Sequence, residues 1–144
     1  MSDIFALLTR DHLMHQELLE VIADTSGDSK KRRDTFNELK AELVNHAKAE
    51  ERAFYAPLLA ERDTQELATH SLVEHEELED LIAEVEGVEW DSPVWLRKLK
   101  VLQDRVIHHE NEEENDVFPV AEKSLTADQQ KEFAKNYKAA MQVE

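Results

Sequence analysis

The chain has 144 residues and no cysteine, which excludes disulfides, thiolate ligands and a cysteine nucleophile. Asp and Glu number 33 against 17 Lys and Arg, and the formal net charge of −16 argues against nucleic acid or an anionic membrane surface as partner. Hydrophobic residues make up 41% and charged residues 35%, with only 2 Gly and 3 Pro, a mix that favours one all-α domain with a real core over a sheet.

The opening Met1-Ser-Asp-Ile-Phe5 has no basic stretch before an apolar run, and no segment approaches the roughly 20 apolar residues of a membrane span. The expectation is a soluble, cytoplasmic protein. A first helix is predicted from about Asp3 to Asp24 with Ser2 as N-cap. Its seam is Phe5, Leu8, His12, His15, Leu19 and Ile22, in alternating steps of three and four. Gly27 breaks the chain before a second helix from Ser29 to about Glu61. There Phe36, Leu39, Leu43 and Phe54 share a seam with His46 and Glu50, and Pro57 should kink or tighten the end. The short link that follows favours an antiparallel neighbour. A third helix, from Asp63 or Thr64 to Glu86, carries Ser71, His75, Leu78, Ile82 and Val85. The fourth is expected to open with Ser92 as N-cap and Pro93 in its first position, and to run toward Pro119. Its seam is Trp95, Leu99, Leu102, Val106, His109, Glu113 and Val117. Thr126 and Gln129 form a capping box for a fifth helix with Phe133, Tyr137 and Met141 on its apolar face. That helix, in a segment spanning residues 123–144, is expected to pack outside a bundle made by residues 1–122.

One offset relates the two halves. Leu39 and Leu102, Leu43 and Val106, His46 and His109, Glu50 and Glu113, and His12 and His75 are each 63 residues apart. The chain therefore reads as a duplicated helix pair folded into an up-down four-helix bundle with a pseudo-twofold axis. At about 1.5 Å rise per residue, the six polar seam residues reach similar heights along antiparallel helices.

His46 and Glu50, and again His109 and Glu113, are four apart, so each pair lies on one helix face. Buried ionisable groups without partners cost several kcal/mol each. Two metal ions would resolve that cost, with two imidazoles on each and both carboxylates bridging, and an oxide or hydroxide could bridge as well. Ligation by nitrogen and oxygen without sulfur suits iron, manganese or zinc. A hydrogen-bonded His/Glu network is the competing reading. His15 has Leu78 as its repeat counterpart and reads as a neighbour of the ligands more than as one of them. Glu79 lies beside its seam and reads as a surface carboxylate. His70 and His108 read as exposed, and Glu51, Glu110, Glu112 and Glu114 as a solvated acidic face. Leu43, Phe54, Val106 and Val117 would wall the site against all but small molecules. The Glu-x-x-His signature of ferritin-like di-iron proteins is absent.

Asp11-His12, His46-Ala-Lys-Ala-Glu50-Glu51 with Phe54-Tyr55 and Pro57, Glu74-His75, and His108-His109-Glu-Asn-Glu-Glu113-Glu114 with Pro119 together resemble the hemerythrin-like, or HHE cation-binding, family. The resemblance covers about residues 3–122. It implies a non-heme di-iron centre, with His12, His46, Glu50, His75, His109 and Glu113 as ligands. Such a centre would bind or sense dioxygen, nitric oxide, peroxide or iron. An enzyme consuming peroxide or nitric oxide is the alternative, and a metal-free helical interaction module a third reading. The set departs from the invertebrate oxygen carriers. They have two ligand histidines four apart on the third helix, where this chain has Ser71 and Glu79 either side of His75. Their fourth-helix carboxylate is an aspartate five residues after its histidine, where this chain has Glu113 four after.

Overall fold

The computed structural model describes residues 3–142, which are built from helices with no strand among them. Helix α1 (Ile4–Ala23) begins at Asp3, whose carboxylate accepts the Ala6 amide at 2.8 Å. The expected Ser2 cap lies outside the described residues. Ser29 caps α2 (Lys30–Glu50) through the Arg32 amide. That rod continues through a π-helical turn, Glu51–Tyr55, into the short α3 (Ala56–Leu59). Helix α4 (Gln65–Glu86) starts one or two residues later than expected. The Thr64 hydroxyl, instead of capping it, donates to Leu58 O at 2.8 Å and pins the link to α3. Helix α5 (Trp95–Glu112) also starts late. Ser92 and Pro93 belong to the preceding turn, in which Ser92 Oγ accepts from the Val94 amide. A second π-turn, Glu113–Val117, leads into α6 (Phe118–Ser124), and α7 (Ala127–Met141) carries the expected Thr126/Gln129 capping box.

Both π-turns end two residues before a proline, Pro57 or Pro119. Proline lacks an N–H and its ring crowds the carbonyl four residues back. Widening the preceding turn relieves that clash, so the rod stays continuous where a kink or an end was expected.

The four long rods pack as an up-down bundle, and α7 lies across α1, α2 and the first π-turn. The apolar interior is split. Ile4, Leu8, Phe54, Leu58, Phe118 and Phe133 belong to one cluster, which includes α7. Leu19, Ile22, Phe36, Leu39, Leu99 and Trp95 belong to the other. His12 and His15 fall between the two on α1, so the polar residues that interrupt each seam form a layer between two apolar plugs. The second plug has a feature the seams did not show. Arg32 is buried, gives hydrogen bonds to Thr25 and to Trp90 O, and lies 4.4 Å over the Trp95 ring. A buried guanidinium with carbonyl acceptors ties the α1–α2 loop to the α4–α5 connection.

Candidate metal centre

The polar layer brings the six expected side chains together, all at 6% exposure or less. One ligand atom each from His12, His46, Glu50 and Glu113 lie within 4.8 Å of one another, and so do atoms of Glu50, His75, His109 and Glu113. The two carboxylates are thus common to both groups. The pseudo-twofold holds in the distances. His12 Nε2 lies 3.0 Å from Glu113 Oε1 and His75 Nε2 lies 3.1 Å from Glu50 Oε1. His46 Nε2 is 3.6 Å from Glu50 Oε2, and His109 Nε2 is 3.4 Å from Glu113 Oε2. Two donor atoms each about 2.1 Å from one ion, at right angles, stand about 3 Å apart.

These contacts are not a satisfied hydrogen-bond network. His12 Nε2, both Glu50 oxygens and Glu113 Oε1 are buried without a hydrogen-bond partner. His75 Nε2 and His109 Nε2 face each other at 3.1 Å. Two imidazole lone pairs directed at one point favour a cation there. The donor set, two neutral-capable imidazoles and two carboxylates on each side, fits a divalent transition ion.

Each inward Nε2 is held by a partner on Nδ1. His12 Nδ1 is 2.6 Å from Glu114 Oε2, and His75 Nδ1 is 2.7 Å from Glu51 Oε2. His109 Nδ1 is 2.8 Å from Glu74 Oε1. His46 Nδ1 meets the Tyr137 hydroxyl at 2.7 Å, with Asp11 Oδ2 at 3.4 Å and hydrogen-bonded to the same phenol. An acceptor on Nδ1 fixes the tautomer that leaves Nε2 free to ligate. The expectation that Glu51, Glu110 and Glu114 are merely solvated is therefore wrong. Glu51 and Glu114 reach the buried His75 and His12, and Glu110 is buried against His15 and Gln16. The repeat contained the signal, because Glu51 and Glu114, and Asp11 and Glu74, are also 63 apart.

Electrostatics follow from burial and these partners. Burial disfavours the charged His12 imidazole, but Glu113 and Glu114 outweigh it and hold the group up at about 11. His75 is likewise opposed by burial and raised by Glu50 and Glu51 to about 9. Burial raises the Glu113 carboxyl, yet His109 and His12 pull it well below the usual range. Glu50 goes the other way, raised by burial and by the facing Glu113.

The symmetry is broken at a few residues. The Tyr55 hydroxyl donates to Glu113, while its counterpart at the other π-turn, Phe118, has none to give Glu50. His15 is fully buried, with Nδ1 2.7 Å from Glu110 and its ring 4.9 Å from that of His46, but it joins neither ligand group. Glu79 is exposed and also joins neither group. It lines a cleft of about 370 Å³ that reaches His46, His75 and His109 past Leu43, Leu78 and Ile82. Leu43, Phe54, Val106 and Val117 are all buried, as a dry wall requires.

A model of the hemerythrin HHE cation binding domain matches residues 3–121. A DNA nickase from Nostoc sp. is 29% identical over 118 residues, which are 80% of this chain and 32% of that protein, so the chain spans about a third of that relative's length. The crystal structure of a hemerythrin HHE cation binding domain-containing protein from Mycobacterium kansasii superposes with a TM-score of 0.88 at 23% identity. It covers 98% of this chain and 86% of that one.

Proposed function

The chain belongs to the hemerythrin HHE cation-binding family, and from that premise we propose that it holds two non-heme iron ions and binds or senses a small oxidant or iron itself. His12 and His46 would hold one ion and His75 and His109 the other, with Glu50 and Glu113 bridging. The observation that supports this best is the arrangement of the four imidazoles. Each turns Nε2 inward and has Nδ1 tied to an oxygen of the surrounding layer. A metal-free helical module would gain nothing from burying Glu50 with both oxygens unpartnered.

When bound, the ions would supply Lewis acidity and one-electron chemistry. The protein's residues do the rest. The carboxylates and phenol on Nδ1 orient the imidazoles so that each Nε2, once it has given up its proton, faces the ions. The Tyr55 hydroxyl anchors Glu113. The apolar plugs exclude water, and the cleft admits a diatomic molecule or a peroxide. That cleft also favours turnover of peroxide or nitric oxide as a second reading, since substrate and product need a route of exchange. DNA stays outside the proposal, because a net charge of −16 repels a phosphate backbone. No helix among the described residues is long and apolar enough to cross a membrane, and a cytoplasmic setting is proposed with the rest.

Anaerobic iron titration read at two equivalents, followed by air, tests this. The expected result is two irons per chain and a visible oxo- or peroxide-type absorption. Colourless protein with less than one metal per chain after loading would overturn it. A stable oxygen adduct favours a binder, and steady peroxide consumption favours an enzyme.

A further inference from the structure

A second set of metal-ligand side chains lies outside the buried centre. His70 and Glu74 are four apart on α4, and His108 and Glu112 four apart on α5, so the His-x-x-x-Glu spacing recurs twice on the outer face. Packing of the two helices brings these side chains together. His70 Nε2 lies 2.8 Å from Glu112 Oε1 and 3.4 Å from Glu74 Oε2. His108 Nε2 lies 2.8 Å from Glu112 Oε2 and 3.8 Å from Glu74 Oε2. Ligand atoms of His70, Glu74 and Glu112 all fall within 4.8 Å of one another.

Two observations separate this group from ordinary surface ion pairing. First, exposed pairs contribute little, yet Glu74 is 6% exposed and aims its free oxygen at both imidazoles. Second, three of the four residues lie outside the internal repeat. Shifted back by 63, His70 falls on Leu7, His108 on Asn45 and Glu112 on Ala49. The group therefore does not follow the 63-residue offset that relates the two halves of the buried centre.

We propose that His70, Glu74 and Glu112, with His108 held against Glu112 beside them, form a solvent-facing site for one divalent transition-metal ion, joined to the buried centre through the Glu74 carboxylate. An imidazole with two carboxylates, and a second imidazole on the rim, favours zinc, cobalt or ferrous iron over magnesium or calcium. Glu74 Oε1 accepts from His109 Nδ1 while Oε2 faces the outer imidazoles. An ion on Oε2 draws charge from the carboxylate and loosens its hold on His109, so occupancy outside is felt within. The link rests on His109 being a ligand of the buried centre, but the outer site does not.

Equilibrium dialysis of the full chain against low micromolar Zn²⁺, with metal counted by mass spectrometry, tests the site. Wild type should retain about one more zinc per chain than His70→Ala/His108→Ala. The same difference is expected between His46→Ala and the triple variant His46→Ala/His70→Ala/His108→Ala, which separates it from failure of the buried centre. Both outer imidazoles are 55% exposed, so the double variant should keep its helical circular dichroism. Equal zinc in wild type and double variant overturns the site. An iron-loaded wild type whose visible spectrum does not move as the extra zinc binds overturns the link through Glu74.

Discussion

At the scale of single residues, the six central side chains were legible because period and offset are independent signals, and both selected the same positions. The surrounding layer was not. In a chain with 33 acidic residues, Glu51 and Glu114 look like any solvated carboxylate. Their shared offset of 63 sets the pair apart, but the packing of α4 on the first π-turn and of α1 on the second is what shows which histidines they meet. Removing either partner should matter nearly as much as removing a ligand. Glu51→Ala and Glu114→Ala are each expected to weaken metal binding by roughly 10–100-fold, read by competition with a chromophoric chelator. The repeat makes His46 and His109 equivalent, so His46→Ala and His109→Ala should lose metal to a similar extent. Retention of both ions by His109→Ala would show that the two halves are not equivalent. Tyr137 has no counterpart in the second half, where Glu74 meets His109 directly. Tyr137→Phe should therefore lower affinity at the His12/His46 half alone, visible as a biphasic metal titration where wild type gives one step.

At the scale of elements, the helices were readable from their seams, and their ends from caps such as Ser29 and Thr126. The two late starts, at Gln65 and Trp95, came from Thr64 and Ser92 committing their hydroxyls to the preceding turn. The π-turns were missed because a proline announces a disturbed turn without saying whether the helix bends, stops or widens. Helix α7 was recognisable, but its docking was not, since an apolar face does not name the surface it covers. In the fold it closes one plug, with Phe133 edge-on to Phe54 at 6.5 Å. Phe133→Ala should cost about 3–5 kcal/mol, measured by thermal or urea unfolding. Because α7 also carries Tyr137, that variant should hold metal less tightly than its stability loss alone explains.

At the scale of the whole molecule, the buried charge layer makes stability depend on pH in opposite senses with and without metal. In the metal-free protein His12 is raised from 6.5 to about 11 and His75 from 6.5 to about 9. A group raised in the folded state stabilises fully below its unfolded value, and that stabilisation is lost as pH climbs through the folded one. Metal-free protein should thus lose thermal stability from pH 6.5 upward through 9. Metal binding requires neutral imidazoles, so affinity should rise over the same interval, with protons released on loading. Melting curves with chelator and with metal, and a weakly buffered titration, check both signs. The 63-residue offset has a further consequence. A chain half this length, paired with a copy of itself, would already own the two His-x-x-x-Glu rods, the two lone histidines and their outer carboxylates. Within one polypeptide the two halves are free to differ, and Tyr55, His15 and the His70–His108 face are where they do, while Tyr137 comes from α7, outside the repeat. The covalent tether is thus what lets a pseudo-twofold centre have a front and a back.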